Sequence, residues 1–240
     1  ATPRLILRTW TDADLEPMSA IKKLATLWDL TNIQPINNVL WNFVAKATQN
    51  DSTPVVLKIC RSKKNFDLEL QASKYFIKII DYNTEHNALL LNQAIPGDSL
   101  KSQEKNLIAI YVDIVRNICK ATKSAIINNN FPHIRDWLSA LDQARNNKII
   151  PEILLNKAIV LRDNLFVSAQ PDLLLHGDLH FENILQHHDT WIVIDPKGII
   201  GELEFEVAKF DFDFNNPKNF HNQVKMLSAE LDLDLSRLTD

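Results

Sequence analysis

An α+β fold of two lobes is predicted by three features of this 240-residue sequence. Strand-like patterns fill the first hundred residues. Helical periodicity fills the rest, with one hairpin embedded in it. A Pro96-Gly97-Asp98 break separates the two regimes. Strands and helices segregated in this way argue for α+β rather than an alternating α/β chain. At 45% hydrophobic residues the chain has enough apolar side chain for a proper core. A cleft between two such lobes is a natural place for a ligand.

Taken in order, NVLWNFVAKAT and VVLKIC flank the polar turn QNDSTP, so Asn38 to Cys60 reads as a hairpin with Lys58 inside its second strand. FDLELQASKYFIKII places Phe66, Leu70, Ser73 and Phe76 at helical spacing before a strand-like end. Asp81 to Asn87 reads as a turn, and ALLLNQAI as a buried strand. From Leu107, NLIAIYVDIVRNICKATKSAI keeps an apolar stripe over several turns. IRDWLSALDQARNN and PEILLNKAIVLRDNLFVSA predict two more helices, the second with Pro151 at its start. The apolar runs on either side of HHDT form the embedded hairpin. GELEFEVAKFDF and HNQVKMLSAELDLDLSRL read as mostly helical.

Composition narrows the function classes. The net charge of −4 lacks the basic surplus of a nucleic-acid binder, so no nucleic-acid partner is expected. No apolar run reaches the ~18 residues of a membrane span, and no secretory signal is visible, so a cytoplasmic protein without a membrane partner is expected. Cys60 and Cys119 lie far apart among apolar residues and read as reduced core residues. The sequence says nothing about oligomeric state.

The chemistry concentrates in LLLHGDLHFENIL, Leu173 to Leu185, and in WIVIDPKG just after it. Phosphoryl transfer needs a carboxylate to orient an acceptor hydroxyl and take its proton, oxygen ligands for a hard cation, and a cation on the phosphates. Asp178 can supply the first. Asn183 and Asp195 can supply metal oxygens, and Gly198 lets the backbone turn sharply after them. Lys58, mid-strand among apolar neighbours, wants a carboxylate partner, and Glu69 on the following helix is available. One rival site and some blander readings compete. His176, Asp178 and His180 have an H-x-D-x-H spacing that could ligate zinc. His187 and His188 read as a solvated turn pair, and Trp41 and Trp191 as packing residues. Glu202, Glu204, Asp211 and Asp213 are candidate acids for a cationic acceptor.

HGDLHFEN followed by WIVIDPKG resembles the aminoglycoside phosphotransferase family, and IDPKGIIGELEFEVAKF is most similar to its streptomycin and hydroxyurea kinase branch. WDLTNIQPINN, PVVLKIC and ALLLNQAIPGDSL extend the resemblance, which runs from about Leu24 to Leu238 and is strongest from Leu173 to Phe210. It implies a protein-kinase-like fold, with a small β-rich N-lobe over residues 23–96 and a helical C-lobe over 97–240. It implies ATP and Mg2+ as cofactors and a hydroxyl on an aminoglycoside-like small molecule as acceptor. By position, Asp178 would be the catalytic base and His176 a structural member of its loop. Asn183 and Asp195 would bind the metal. Lys58 would contact the phosphates with Glu69 as its partner, and Asn92, Gln93, Ala94 and Ile95 would hold adenine through their backbone. Glu206 stands where the branch has an aspartate bracing the catalytic loop. The nucleotide-covering loop would be PINN, from Pro35, which has no glycine, and relatives continue into helices beyond LSRLTD. These departures support an alternative, a kinase-like binder or remnant without transfer activity. Residues 1–22 form an extra segment whose TPRLILRTWTDADLEPMSAI resembles the start of ribosomal-protein-type N-acetyltransferases. No acetyl transfer is expected, because the chain lacks a glycine-rich pyrophosphate loop.

Overall fold

The computed structural model describes residues 15–36, 42–123, 131–145 and 150–239. The chain divides into two compact units, Ala1–Phe66 with Ile79–Gln93, and Asp67–Lys78 with Ala94–Asp240.

The first unit is a helix on a sheet. Helix α1 (Leu15–Leu27) precedes β1 (Leu30–Pro35), β2 (Phe43–Gln49), β3 (Pro54–Ile59), β4 (Ile79–Asn83) and β5 (Ala88–Asn92). These strands form an antiparallel sheet in the order β1-β2-β3-β5-β4. The β2–β3 turn is tied by Asp51, whose Oδ1 accepts the Thr53 N–H at 2.9 Å. Alternation then sorts the side chains: Val55 and Leu57 pack with Ala88, Leu90 and the α1 residue Leu24, and Trp28 closes the same cluster. Lys58, one residue out of phase, lies on the opposite face, in register with Val44 and Leu89. Two elements escaped the sequence reading. β1 ran unrecognised through a motif quoted only for its resemblance, and α1 begins inside the stretch read as an extra segment, yet contributes Leu24 to the core. β4 also continues to Asn83, into the expected turn. The acetyltransferase-like residues 1–14, and Asn37, Asn38 and Trp41, lie outside the described residues.

In the second unit, α2 (Lys63–Phe76), which begins in the first, is followed by β6 (Pro96–Ser99), α3 (Leu107–Thr122), α4 (Ile134–Leu138), α5 (Ala140–Ala144) and α6 (Glu152–Val167). Then come β7 (Leu173–Leu175), β8 (Ile184–His187), β9 (Thr190–Val193), β10 (Ile199–Gly201), α7 (Leu203–Val207), α8 (Pro217–Leu231) and α9 (Leu235–Thr239). Helix α3 buries Tyr111, Val112, Ile114, Val115 and Ile118, a stripe at helical spacing. That stripe packs on Leu179, Phe181, Ile184, Val207, Phe210 and Leu227, so the principal core lies directly under the residues of the HGDLHFEN motif. Pro96-Gly97-Asp98, read as a break, is part of strand β6, which pairs with β8 and makes a three-stranded sheet of the expected hairpin. The single helix expected over residues 134–147 is two short helices meeting at Ser139, whose hydroxyl donates to the Asp136 carbonyl at 2.6 Å. After α7 the chain leaves helical geometry, with Phe212 and Phe214 each donating to the carbonyl two residues back. Among the described residues no helix is long and apolar enough to cross a membrane.

Candidate active site

Two short ladders bring the polar residues together. β7 and β10 pair with Ile199 opposite Leu175, which sets His176 and Gly198 side by side. β8 and β9 pair with Ile184 opposite Val193, which sets Asn183 beside Ile194. The loop 176–183 and the loop 194–198 are therefore fixed at both ends against each other. Further bonds close the arrangement: Ile194 N–H donates to the Asn183 carbonyl at 2.9 Å, and Lys197 N–H donates to the His176 carbonyl at 2.8 Å.

His176 staples the two loops. It is fully buried, packs edge-on against Phe76, and its Nε2 donates to the Ile194 carbonyl at 2.9 Å. Burial pushes its pKa down to about 3, so the ring is neutral. Its Nδ1 receives the Asp178 N–H at 3.4 Å. Both ring nitrogens are thus engaged, which removes the zinc reading of the H-x-D-x-H spacing. Among the described residues, no group of three or more His, Cys, Asp and Glu side chains is arranged to hold a metal ion.

Two glycines are required by this geometry. Gly177 has φ +84°, and a Cβ there would meet Ile199 Cγ2 at 2.8 Å. Gly198 has φ +62°, and a Cβ there would meet the Phe131 ring at 2.7 Å.

Asp178 follows on this scaffold with its side chain about one-third exposed. One carboxylate oxygen lies 3.6 Å from Lys197 Nζ and the other 3.9 Å from His180 Nε2. Its carbonyl accepts Asn183 Nδ2 at 2.8 Å, which leaves the Asn183 amide oxygen as the atom that can face a cation. Asp195 sits at φ +60° between β9 and Pro196, and its Oδ2 is 2.6 Å from Lys197 Nζ. Two carboxylates and an amide oxygen form a hard donor set suited to a divalent ion, and an ammonium already occupies one of those oxygens.

A second group of residues braces the loop from below. Glu206 is fully buried, and its Oε2 accepts the Gly177 N–H at 2.8 Å. Burial raises its carboxyl to about 7. Tyr111 Oη donates to the Glu206 carbonyl, and Asp211 Oδ2 accepts the Phe181 N–H at 2.9 Å. Lys101 pairs with Glu182 at 2.5 Å on the surface.

The family model for the aminoglycoside/hydroxyurea antibiotic resistance kinases matches residues 28–240. The chain belongs to this family. Curated relatives include the streptomycin 3''-kinase of Klebsiella pneumoniae, 50% identical over 44 residues, or 18% of this chain and 15% of that enzyme. The hydroxyurea phosphotransferase of Kitasatospora aureofaciens is 49% identical over 43 residues, 17% of this chain and 13% of that enzyme. The matched stretches thus span less than a fifth of either relative. Solved structures agree on fold at low identity. A choline/ethanolamine kinase family protein from Mesorhizobium loti aligns with TM-score 0.66 at 14% identity, covering 89% of this chain and 76% of that one. A thermostable mutant of aminoglycoside phosphotransferase APH(4)-Ia, in complex with ADP and hygromycin B, gives 0.65 at 13%, covering 91% and 84%. Amicoumacin kinase hAmiN, in complex with AMP-PNP and Ca2+, gives 0.66 at 13%, covering 93% and 81%. The fold of this family member is therefore protein-kinase-like α+β, with an antiparallel β-rich first unit and a mostly helical second.

Within that fold the named candidates fall as follows. Asp178, Asn183 and Asp195 come together in the second unit. Lys58 is buried in β3 of the first unit. Glu69 is buried in α2, within the second unit's share of the chain. Asn92 and Gln93 end the first unit, and Gln93 N–H donates to the Pro54 carbonyl at 3.4 Å. Ala94 and Ile95 open the second unit's long segment. Both backbone groups of Ile95 are already used: its N–H donates to His187 Nδ1 at 3.3 Å, and its carbonyl accepts the His188 N–H at 2.6 Å. The histidine turn, with His188 exposed, also grips residue 95.

Of the acids suggested for a cationic acceptor, Glu202 and Glu204 are buried, whereas Asp211 is exposed and Asp213 partly so. Glu202 is buried against Arg237, and Glu204 is buried with its carboxyl raised by desolvation. Asp211 holds Phe181, and Asp213 accepts Asn219 Nδ2 at 3.0 Å. The sequence reading missed Lys197 as a site residue and Asp211 as a brace. The lysine of DPKG, two residues beyond Asp195, was the available signal.

Proposed function

We propose that the chain transfers the γ-phosphoryl group of ATP, with Mg2+, to a hydroxyl of a small molecule, of the aminoglycoside class that includes streptomycin. The observation that carries this reading is the convergence of Asp178, Asn183 and Asp195 on two interlocked loops, within a chain that belongs to a kinase family. Asp178 orients the acceptor hydroxyl and takes its proton. Asn183 and Asp195 hold the metal through oxygen, and when bound the metal neutralises charge on the phosphates. Lys58, with Glu69 as its partner, steadies the phosphates. Adenine is held through the backbone of Asn92, Gln93 and Ala94; Ile95 joins only by giving up its bonds to the His187–His188 turn. Use of ATP suits the expected cytoplasmic setting. The protein's own contribution is positioning and fixed charge rather than covalent chemistry.

The test is phosphate transfer from ATP to a panel of streptomycin, other aminocyclitols, hydroxyurea and simple sugars, with wild type and Asp178→Asn. Transfer to an aminocyclitol is expected. The variant should lose roughly 10²-fold or more in turnover while still binding Mg-ATP in a thermal-shift assay. Wild-type turnover by Asp178→Asn would remove the base assignment. Nucleotide stabilisation without transfer to any acceptor would favour the inactive binder.

A further inference from the structure

We propose that Lys197 is the resident counter-cation of the Asp178–Asp195 pair, and that a divalent metal ion takes Asp195 only by displacing it. The inference rests on the metal role proposed above for Asn183 and Asp195.

The geometry is direct. Lys197 Nζ stands 2.6 Å from Asp195 Oδ2 and 3.6 Å from Asp178 Oδ2, so one ammonium serves both acids. Its backbone is pinned by the bond from its N–H to the His176 carbonyl, and the next residue, Gly198, donates to the same carbonyl at 3.3 Å. Asp195 at φ +60°, followed by Pro196, turns the chain so that positions 195 and 197 put a carboxylate and an ammonium in contact. His180 also lies near the pair, its Nε2 3.9 Å from Asp178 Oδ1 and on the far oxygen from Lys197.

An ammonium in hydrogen-bond contact with Asp195 Oδ2 and a divalent ion on that same oxygen compete, because two like charges would be held a few ångströms apart. Displacement is cheap in conformation. The lysine side chain is 37% exposed and has a flexible four-carbon stem, so the ammonium can swing away while the backbone stays pinned. Displaced from Asp195, the ammonium is left with only the longer contact to Asp178 unless another anion arrives with the metal. A metal entering with a polyphosphate brings that anion, and a bare metal does not. Lys197 therefore disfavours uptake of the metal alone and favours its arrival as the nucleotide complex.

Direct Mn2+ binding to nucleotide-free protein, followed by the paramagnetic resonance of free Mn2+, tests this without any turnover. Lys197→Met is expected to bind Mn2+ more tightly than wild type, by roughly five-fold, the size of a partly exposed ion pair. Lys197→Arg keeps the competitor and should stay near wild type, whereas Asp195→Asn should lose the site. Damage to the loop would weaken binding, so a gain has no structural explanation; thermal melts of Lys197→Met and of a second variant, Lys197→Gln, establish that both are folded. Unchanged or weaker Mn2+ binding in folded Lys197→Met and Lys197→Gln, with the site still lost in Asp195→Asn, overturns the inference and leaves the metal role standing. Wild-type binding by Asp195→Asn overturns the metal role itself, and this inference with it.

Discussion

Glu206 is the residue whose environment sets the clearest demand. It is wholly buried against Gly177, and one of its carboxyl oxygens, Oε1, has no hydrogen-bond partner among the described residues. With its carboxyl raised to about 7 from an ordinary 4.5, the folded protein holds a proton there that the unfolded chain releases. Stability from this group is therefore complete below about pH 4.5 and is lost as pH rises through about 7. The loss is on the order of 3 kcal/mol. Glu206→Gln keeps an acceptor for the Gly177 N–H and has no charge to bury. Chemical denaturation at several pH values should show the variant's stability relative to wild type improving from pH 5 to pH 8. A difference that is flat with pH would rule the explanation out. The aspartate expected here by resemblance would be one methylene shorter; the glutamate reaches the same backbone donor from a position that is fully buried.

At the scale of elements, the smallest pieces depend on single interactions. Helix α9 has five residues, none of them buried enough to anchor it by apolar packing alone. It is held by Arg237, which pairs with Glu202 just before α7 and donates to Ser168 Oγ at 2.6 Å and to the Leu165 carbonyl at 3.3 Å, at the end of α6. Three helices thus meet at one guanidinium. Arg237→Met would leave the Glu202 carboxylate buried without its cation, at a cost of about 3–5 kcal/mol. The melting temperature should drop by roughly 10 °C, and adding Glu202→Gln should recover part of it. If the single variant melts like wild type, the pair is not what fixes α9.

At the scale of the whole chain, each unit has its own apolar cluster. Leu24→Ala opens a cavity beneath the first sheet and should cost roughly 2–5 kcal/mol. Hydrogen exchange followed by mass spectrometry should show the increase in β2, β3 and β5, with β7 and β10 much less affected. What the sequence disclosed about this organisation followed signal strength. The long amphipathic stretch of α3 and the alternating residues of β2 and β3 carry strong periods, and they were readable. The dense polar motifs of residues 176–198 were readable through resemblance, because few sequences combine these residue types at that spacing. β1, with only Leu30 buried among its six residues, has too little pattern to register. β6 contains a proline and a glycine, and its pairing with β8 comes from residues nearly ninety positions away. The contact between Lys197 and Asp195 was hidden for another reason: it depends on a backbone angle that residue types alone do not reveal.

The hairpin of β8 and β9 has a mechanical side. One end carries Asn183 and Ile194, beside the metal-binding candidates, and the other grips Ile95 through His187 and His188. Four residues a side make a stiff rod of about 13 Å. Residue 95 and the Asn183–Ile194 pair thus stand at the two ends of one hairpin, so the segment proposed to feel the base of the nucleotide and the one proposed to hold its metal share a single strand pair.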